Sequence, residues 1–228
     1  RCVCLRRTGS SPVSRTMKKS KNESSWIFLY LTFYQRRDTR MKATCLVGSA
    51  RSNGSTAYCI DTIIRGMQEA GMQTSKHCIG EKDIRYCAGC KKCYIDGECF
   101  QKDDVYEIVS DLINSDYVVI AAPSYWADVP GQLKTFFDRT TPYGDTNPRR
   151  KLQAIHPIKG IAIAIRAGKR KEENEIILRS IQHYFGHLGI ETVKTFSICE
   201  TDSLEDLLSR HQTELDELYQ LGKEIANL

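Results

Sequence analysis

"KATCLVGSARSNGSTA", residues 42–57, decides the fold. Its first part is a short apolar run ending at Gly48, which reads as a strand. From Ser55 onward Ile60, Ile64 and Met67 recur at helical spacing. The loop between them, "GSARSNGSTA" (48–57), is rich in glycine and small residues, so its backbone N–H groups can approach an anion closely. Ser49, Ser52, Ser55 and Thr56 add hydroxyl donors, Asn53 adds an amide, and the following helix presents its positive end. Arg51 is available for a charge-assisted contact, so the loop suits a phosphate monoester. It is not the lysine-bearing phosphate loop, because Ser55 stands where Lys would be, and it is not G-x-G-x-x-G. The plainer alternative is a polar turn capped by Ser or Thr.

Outward from this unit, strand-length apolar runs alternate with amphipathic helical stretches. "MQTSKHCI" (72–79) is a second strand, "YVVIAAP" (117–123) a third, "IAIAI" (161–165) a fourth and residues 190–198 a fifth. The third is apolar almost throughout, as in a parallel sheet covered on both faces. Helices are expected after Asp103 or Asp104 as cap, through Leu133, Phe136 and Phe137, over about Glu172 to His187, and over roughly Ser203 to Ala226. Residues 140–158, with three prolines and the basic run Arg149, Arg150 and Lys151, read as a long loop or excursion. Strands each followed by a helix imply a parallel sheet with helices on both sides. Such sheets bind ligands beyond the carboxyl ends of their strands, at the switch in strand order. The loops at Gly48, Pro123 and Arg166 are therefore expected to build the site.

The loop "APSYWADVPGQLKTFFDR" (122–139) places Tyr125 and Trp126 at that rim. Two aromatics there can flank a planar ring while backbone groups around Ser124 hydrogen-bond its edge. The alternative is that Trp126 packs on the following helix.

"YCAGCKKCYIDGEC" (86–99) holds Cys87, Cys90, Cys93 and Cys99. Each C-x-x-C step can turn two sulfurs toward one centre, and Gly89 and Gly97 permit the tight backbone that brings in Cys99. The ferredoxin run has three residues before its last cysteine and then proline, whereas here Cys99 follows five residues and precedes Phe100. An iron–sulfur cluster, redox-active or free thiols, and zinc stay open on spacing. Cys45, Cys59, Cys78 and Cys199 read as small buried hydrophobes.

The paired motifs "GSARSNGST" and "PSYW…PGQLKTFFDR" resemble the flavodoxin-like NADPH-dependent FMN reductases, from Met41 to about Leu188. The cysteine loop, an insert at 84–102, is similar to that of the iron–sulfur flavoprotein branch. The resemblance implies an α/β, flavodoxin-like, doubly wound five-stranded parallel sheet in three layers. It implies FMN, with phosphate on Ser49, Arg51, Asn53, Ser55 and Thr56 and the ring against Pro123, Ser124, Tyr125 and Trp126. It further implies a [4Fe–4S] cluster on Cys87, Cys90, Cys93 and Cys99, and a homodimer or higher oligomer. Gln132, Lys134, Asp138 and Arg139 match the family's helix and are expected to be structural. Family members often carry several glycines in the third loop, whereas "IRAGKRKEE" (165–173) has only Gly168 for the flavin.

The net charge of +5 first suggests nucleic acid, but residues 1–40 hold ten Lys/Arg against Glu23 and Asp38. The remainder is mildly acidic, which excludes a nucleic-acid-binding body. The expectation is a native start at Met41, with 1–40 a non-native or disordered basic leader and 41–228 the FMN-binding domain. The apolar run Trp26 to Tyr34 is too short to span a bilayer, and nothing resembles an export signal. A reducing, cytoplasmic compartment follows, where disulfides are uncommon.

The histidines show no metal or nucleophile spacing; His183 and His187 form an i, i+4 pair, but no nearby acid or third ligand supports a site, and both read as helix-surface or packing residues. The leading expectation is an FMN-dependent oxidoreductase, with no catalytic side chain identified because the flavin carries the chemistry. NAD(P)H or a small carrier such as ferredoxin would supply electrons, and a quinone, free flavin or oxygen species would accept them. Two other readings remain: a non-enzymatic electron carrier, and an NAD(P)H:FMN reductase with no cluster. Lys169 or Arg170 is a candidate for steering a nicotinamide phosphate.

Overall fold

The computed structural model describes residues 40–225. Apart from Arg40, the basic leader with its apolar run lies outside these residues, as does Ala226. Five strands form one sheet: β1 (Lys42–Val47), β2 (Gln73–Cys78), β3 (Tyr117–Pro123), β4 (Ile158–Ile165) and β5 (Ile190–Ile198). All pairings are parallel and the order is β2-β1-β3-β4-β5. The chain winds from β1 to β2 on one side and then crosses to β3 on the other, so the switch point lies between β1 and β3. This is the flavodoxin-like doubly wound architecture expected from the sequence.

The helices are α1 (Ser55–Glu69), α2 (Val105–Ile113), α3 (Gly131–Arg139), α4 (Lys171–Leu188), α5 (Leu204–Arg210) and α6 (Gln212–Glu224). Strand residues alternate between faces, so each strand feeds two cores. Leu46, Val118, Ile120 and Ala162 face α2, α3 and α4. Cys45, Val47, Val119, Ile161 and Ile163 face α1, α5 and α6. Burial of Cys45 and Cys59 pushes both thiols up to about 12, which makes them inert small hydrophobes, as expected.

α1 and α6 cross at backbone contact. A Cβ on Gly66 would meet the Tyr219 carbonyl oxygen at 2.2 Å, and one on Gly222 would meet that of Ile63 at 2.4 Å. No larger side chain fits at this crossing.

Two expectations need correction. The C-terminal helix is broken at His211 into α5 and α6. α5 starts from a capping box in which Ser203 Oγ accepts the Asp206 N–H and the Asp206 carboxylate accepts the Ser203 N–H, worth about 1 kcal/mol. At α2 the N-cap position is Asp104, whose carboxylate accepts from Asp83 N–H; of the two candidates it is Asp103 whose carboxylate accepts the first helical N–H, that of Val105, at 3.4 Å. β4 also begins earlier than expected, at Ile158, because Ile158 and Gly160 are buried against α4. Among the described residues no helix is long and apolar enough to cross a membrane.

Candidate functional site

The first loop leaves β1 through Gly48, whose N–H donates to Ala121 O at 2.8 Å and extends the β1–β3 pairing. A Cβ there would stand 2.6 Å from Leu133 Cδ2, so the glycine lets α3 close on the sheet end. Gly80 plays the same part below: a Cβ on it would lie 2.8 Å from Ala50 Cα. The loop is thus seated on two glycines. Ser49 is buried and its Oγ accepts the Arg51 N–H at 3.0 Å. Thr56 is buried, Ser55 half-buried, and Arg51 and Asn53 are exposed. The N-cap of α1 is Gly54, in extended backbone, and no side chain caps the helix. A Ser or Thr cap, the plainer alternative, is not what the sequence builds. The first-turn N–H groups of α1 and the hydroxyls of Ser55 and Thr56 remain available at the positive helix end.

The β1–β3 register, Val47 with Ala121, sets Pro123 and Ser124 beside this loop. Ser124 N–H donates to Ile165 O at 2.7 Å, tying the second loop to β4. Tyr125 and Asp128 then exchange backbone hydrogen bonds of 2.9 and 3.1 Å around Trp126 and Ala127, at φ 55° and 59°. Two successive left-handed residues make a tight two-residue turn of the type I′ kind. Neither is glycine, so each costs about 1–2 kcal/mol of backbone strain. The turn holds the Trp126 indole fully in solvent, at 102% exposure, with Tyr125 at 44%. The alternative in which Trp126 packs on α3 is therefore overturned. Asp128 braces the turn by accepting its neighbour Val129 N–H at 2.7 Å.

The third loop is closed by its own side chains. Arg166 donates to Arg170 O and pairs with Glu173, both at 2.7 Å, and its guanidinium lies against Gly168. Gly168 O accepts from Glu200 N–H. Lys169 and Arg170 are largely exposed and pair loosely with Glu200 and Glu173, each at 3.6 Å.

The four cysteines line one cavity of about 180 Å³, together with Phe100 and Arg139. Left-handed positions at Gly89, Lys91 and Gly97 curl the loop. A single helical turn, Cys93–Asp96, sits inside it, its Cys93 carbonyl held by Asn147 Nδ2 at 3.1 Å. Burial, then Cys99, Cys87 and Cys90, push the Cys93 thiol up. Among the described residues no three His, Cys, Asp or Glu side chains stand at the spacing of a single metal ion. Thiolate sulfur is a donor type that suits zinc or an iron–sulfur cluster, and Cys87, Cys90, Cys93 and Cys99 are the residues that would hold either.

Arg139 enters this cavity from the end of α3. It is 1% exposed, forms a bidentate pair with equally buried Asp103 at 2.6 and 3.0 Å, and donates to Arg85 O. Its Nη2 also donates to Cys99 Sγ at 3.6 Å. Burial raises the Asp103 carboxyl, but Arg139 and the backbone N–H groups of Arg85 and Val105 outweigh it, so the group sits below its ordinary value. Arg139, expected to be structural, is also a contact of the cysteine site. No local sequence signal pairs it with Cys99.

The sequence reading also missed an acid for the histidine pair. Asp145, on the excursion after α3, places Oδ1 2.7 Å from His187 Nδ1. His183 and His187 are half-exposed to exposed and line a cavity of about 510 Å³ with Asp138, Thr141 and Tyr94.

Fold and loops together define a flavodoxin-like protein with an uncapped helix N-terminus and an aromatic turn at the switch point. The model of the NADPH-dependent FMN reductase family matches residues 41–197, and the chain belongs to that family. An iron–sulfur flavoprotein of Archaeoglobus fulgidus is 39% identical over 104 residues, 46% of this chain and 47% of that protein. The match thus spans about half the length of that relative. An iron–sulfur flavoprotein of Methanocaldococcus jannaschii is 34% identical over 146 residues, covering 64% of this chain and 71% of its own. The structure of an NAD(P)H:quinone oxidoreductase from Methanothermobacter marburgensis superposes with a TM-score of 0.62 at 17% identity, covering 82% of this chain and 96% of that one. At that identity the likeness is one of fold.

Proposed function

We propose that the protein is an FMN-dependent oxidoreductase that takes electrons from NAD(P)H and passes them to a quinone or flavin acceptor, with a [4Fe–4S] cluster in its cysteine loop. One observation carries the reading. The helix that leaves the aromatic turn, α3, ends on the cysteine cavity through Arg139, so roughly 13 Å of helix joins the two candidate centres.

In this reading Ser49, Asn53, Ser55, Thr56 and the first-turn N–H groups of α1 bind the phosphate, and Arg51 closes over it. Pro123 and Ser124 hold the ring edge through backbone groups, while Tyr125 and Trp126 cover its face. Gly168 offers backbone beside the third loop. Bound FMN supplies hydride acceptance and one- or two-electron donation, and a cluster supplies single-electron traffic, chemistry that no side chain here provides. The protein's own contribution is to orient the ring, exclude water beneath it and stabilise negative charge on Cys99 through Arg139. The reading includes a homodimer, which light scattering checks.

The test is flavin, iron and acid-labile sulfide analysis after anaerobic purification, followed by steady-state NAD(P)H oxidation with a quinone. Flavin, iron, sulfide and turnover together support the proposal. Flavin with turnover but no iron would reduce it to an FMN reductase with an empty loop. Bound flavin without NAD(P)H turnover would make the protein an electron carrier. A colourless chain that takes up no added FMN would remove the whole reading.

A further inference from the structure

The cavity between α3, α4 and the excursion after α3 holds a pair of imidazoles arranged as ligands. His183 and His187 lie four residues apart on α4, so their side chains share one face. Their Nε2 atoms stand 3.1 Å apart, with the rings nearly perpendicular at 86°. Two nitrogens each about 2.0–2.1 Å from a tetrahedral zinc stand roughly 3.3 Å apart, so the pair already has almost the bite that an ion requires.

The other nitrogen of His187 is committed. Asp145 Oδ1 lies 2.7 Å from His187 Nδ1, while the Asp145 N–H donates to His187 O at 2.8 Å. The residue is clipped to α4 by both its backbone and its side chain. Facing a carboxylate oxygen at 2.7 Å, His187 Nδ1 is the donor, which leaves its Nε2 as the acceptor 3.1 Å from His183 Nε2. A carboxylate behind a histidine ligand is the usual outer partner at zinc sites, where it sets the tautomer and strengthens the ligand.

We propose that His183 Nε2 and His187 Nε2 bind a borderline divalent ion of the zinc class, with Asp145 as the outer partner that orients His187. The site is separate from the cysteine loop and does not rest on the function proposed above. With two protein ligands, the ion keeps exchangeable positions for water, and these face the cavity of about 510 Å³ lined by Asp138, Thr141 and Tyr94. Imidazole ligands select zinc, copper and nickel over magnesium or calcium.

The experiment titrates the full chain with Co²⁺ and reads the difference spectrum against the same chain without the metal. The expected result is one ion per chain, with d–d absorption lacking the thiolate-to-cobalt charge-transfer band, displaced by Zn²⁺. His183→Ala and His187→Ala should each weaken binding at least tenfold, and Asp145→Asn about tenfold or more. Cys93→Ser should leave it unchanged. These histidines lie at the surface, so the variants are expected to keep the wild-type thermal midpoint; His183→Gln replaces His183→Ala should that midpoint move. Cobalt bound only with thiolate charge transfer, no binding at all, or equal affinity in the double histidine variant would overturn the proposal.

Discussion

Arg139 Nη2 lies 3.6 Å from Cys99 Sγ, and the guanidinium that makes this contact is held by a carboxylate as deeply buried as itself. Asp103 therefore fixes the charge, and Arg139 delivers it to the one cysteine that the loop returns last. The order of dependence is Asp103, then Arg139, then Cys99.

Asp103→Asn should destabilise the fold by about 3–5 kcal/mol, because it leaves a buried guanidinium without its anion. The acid dependence should change with it. The native carboxyl is held below its ordinary value, so its stabilising contribution is complete above about pH 4, the unfolded value, and is lost as pH falls through the lower folded value. Denaturant midpoints measured down the acid range should fall more steeply for wild type than for the variant.

Arg139→Lys keeps the charge but loses the fork that serves Asp103 and Cys99 together. In the reduced chain without its cofactors, iodoacetamide should alkylate Cys99 several-fold more slowly than in wild type, with Cys87 and Cys90 little changed. Mass spectrometry of the peptides reads the difference. Equal rates at Cys99 would show that the 3.6 Å contact does not stabilise its sulfur.

Two glycine substitutions should act with opposite signs. Gly66→Ala drives a Cβ into the Tyr219 carbonyl oxygen at 2.2 Å and should cost about 1–3 kcal/mol or more through forced separation of α1 and α6. Gly186→Ala meets nothing within 4 Å on α4 and should gain about 0.5–1 kcal/mol by removing helix-interior entropy. Urea unfolding curves decide both.

Trp126→Gly separates strain from binding. Glycine accepts φ 55° without cost, so the flavin-free chain should become about 1 kcal/mol more stable. Flavin affinity should fall, because the aromatic face is gone; fluorescence titration with FMN measures it. A stabilised variant that still binds FMN as tightly would remove Trp126 from the site.

Charge reversal at Lys169 or Arg170 should raise the Michaelis constant for NADPH several-fold while leaving kcat unchanged. Their pairs with Glu200 and Glu173 are exposed and 3.6 Å long, worth little in stability, so the kinetic effect is free of unfolding. An unchanged Michaelis constant would place nucleotide recognition elsewhere.

The amino-acid order by itself determined the sheet. Apolar runs such as Tyr117–Pro123 and helical repeats such as Ile60, Ile64 and Met67 report which face of one element is buried, and that property is local. It also determined the composition of the loop at Gly48 and the grouping of Cys87, Cys90, Cys93 and Cys99, because both are continuous in the chain. Only the tertiary structure decided the rest. Arg139 meets Asp103 across 36 residues and Cys99 across 40, and His187 meets Asp145 across 42. The α1–α6 crossing at Gly66 and Gly222 also depends on where separate segments come to rest. Periodicity carries the burial of a single element. The pairing of charges and sulfurs between elements is set by the path of the backbone, which no local pattern encodes.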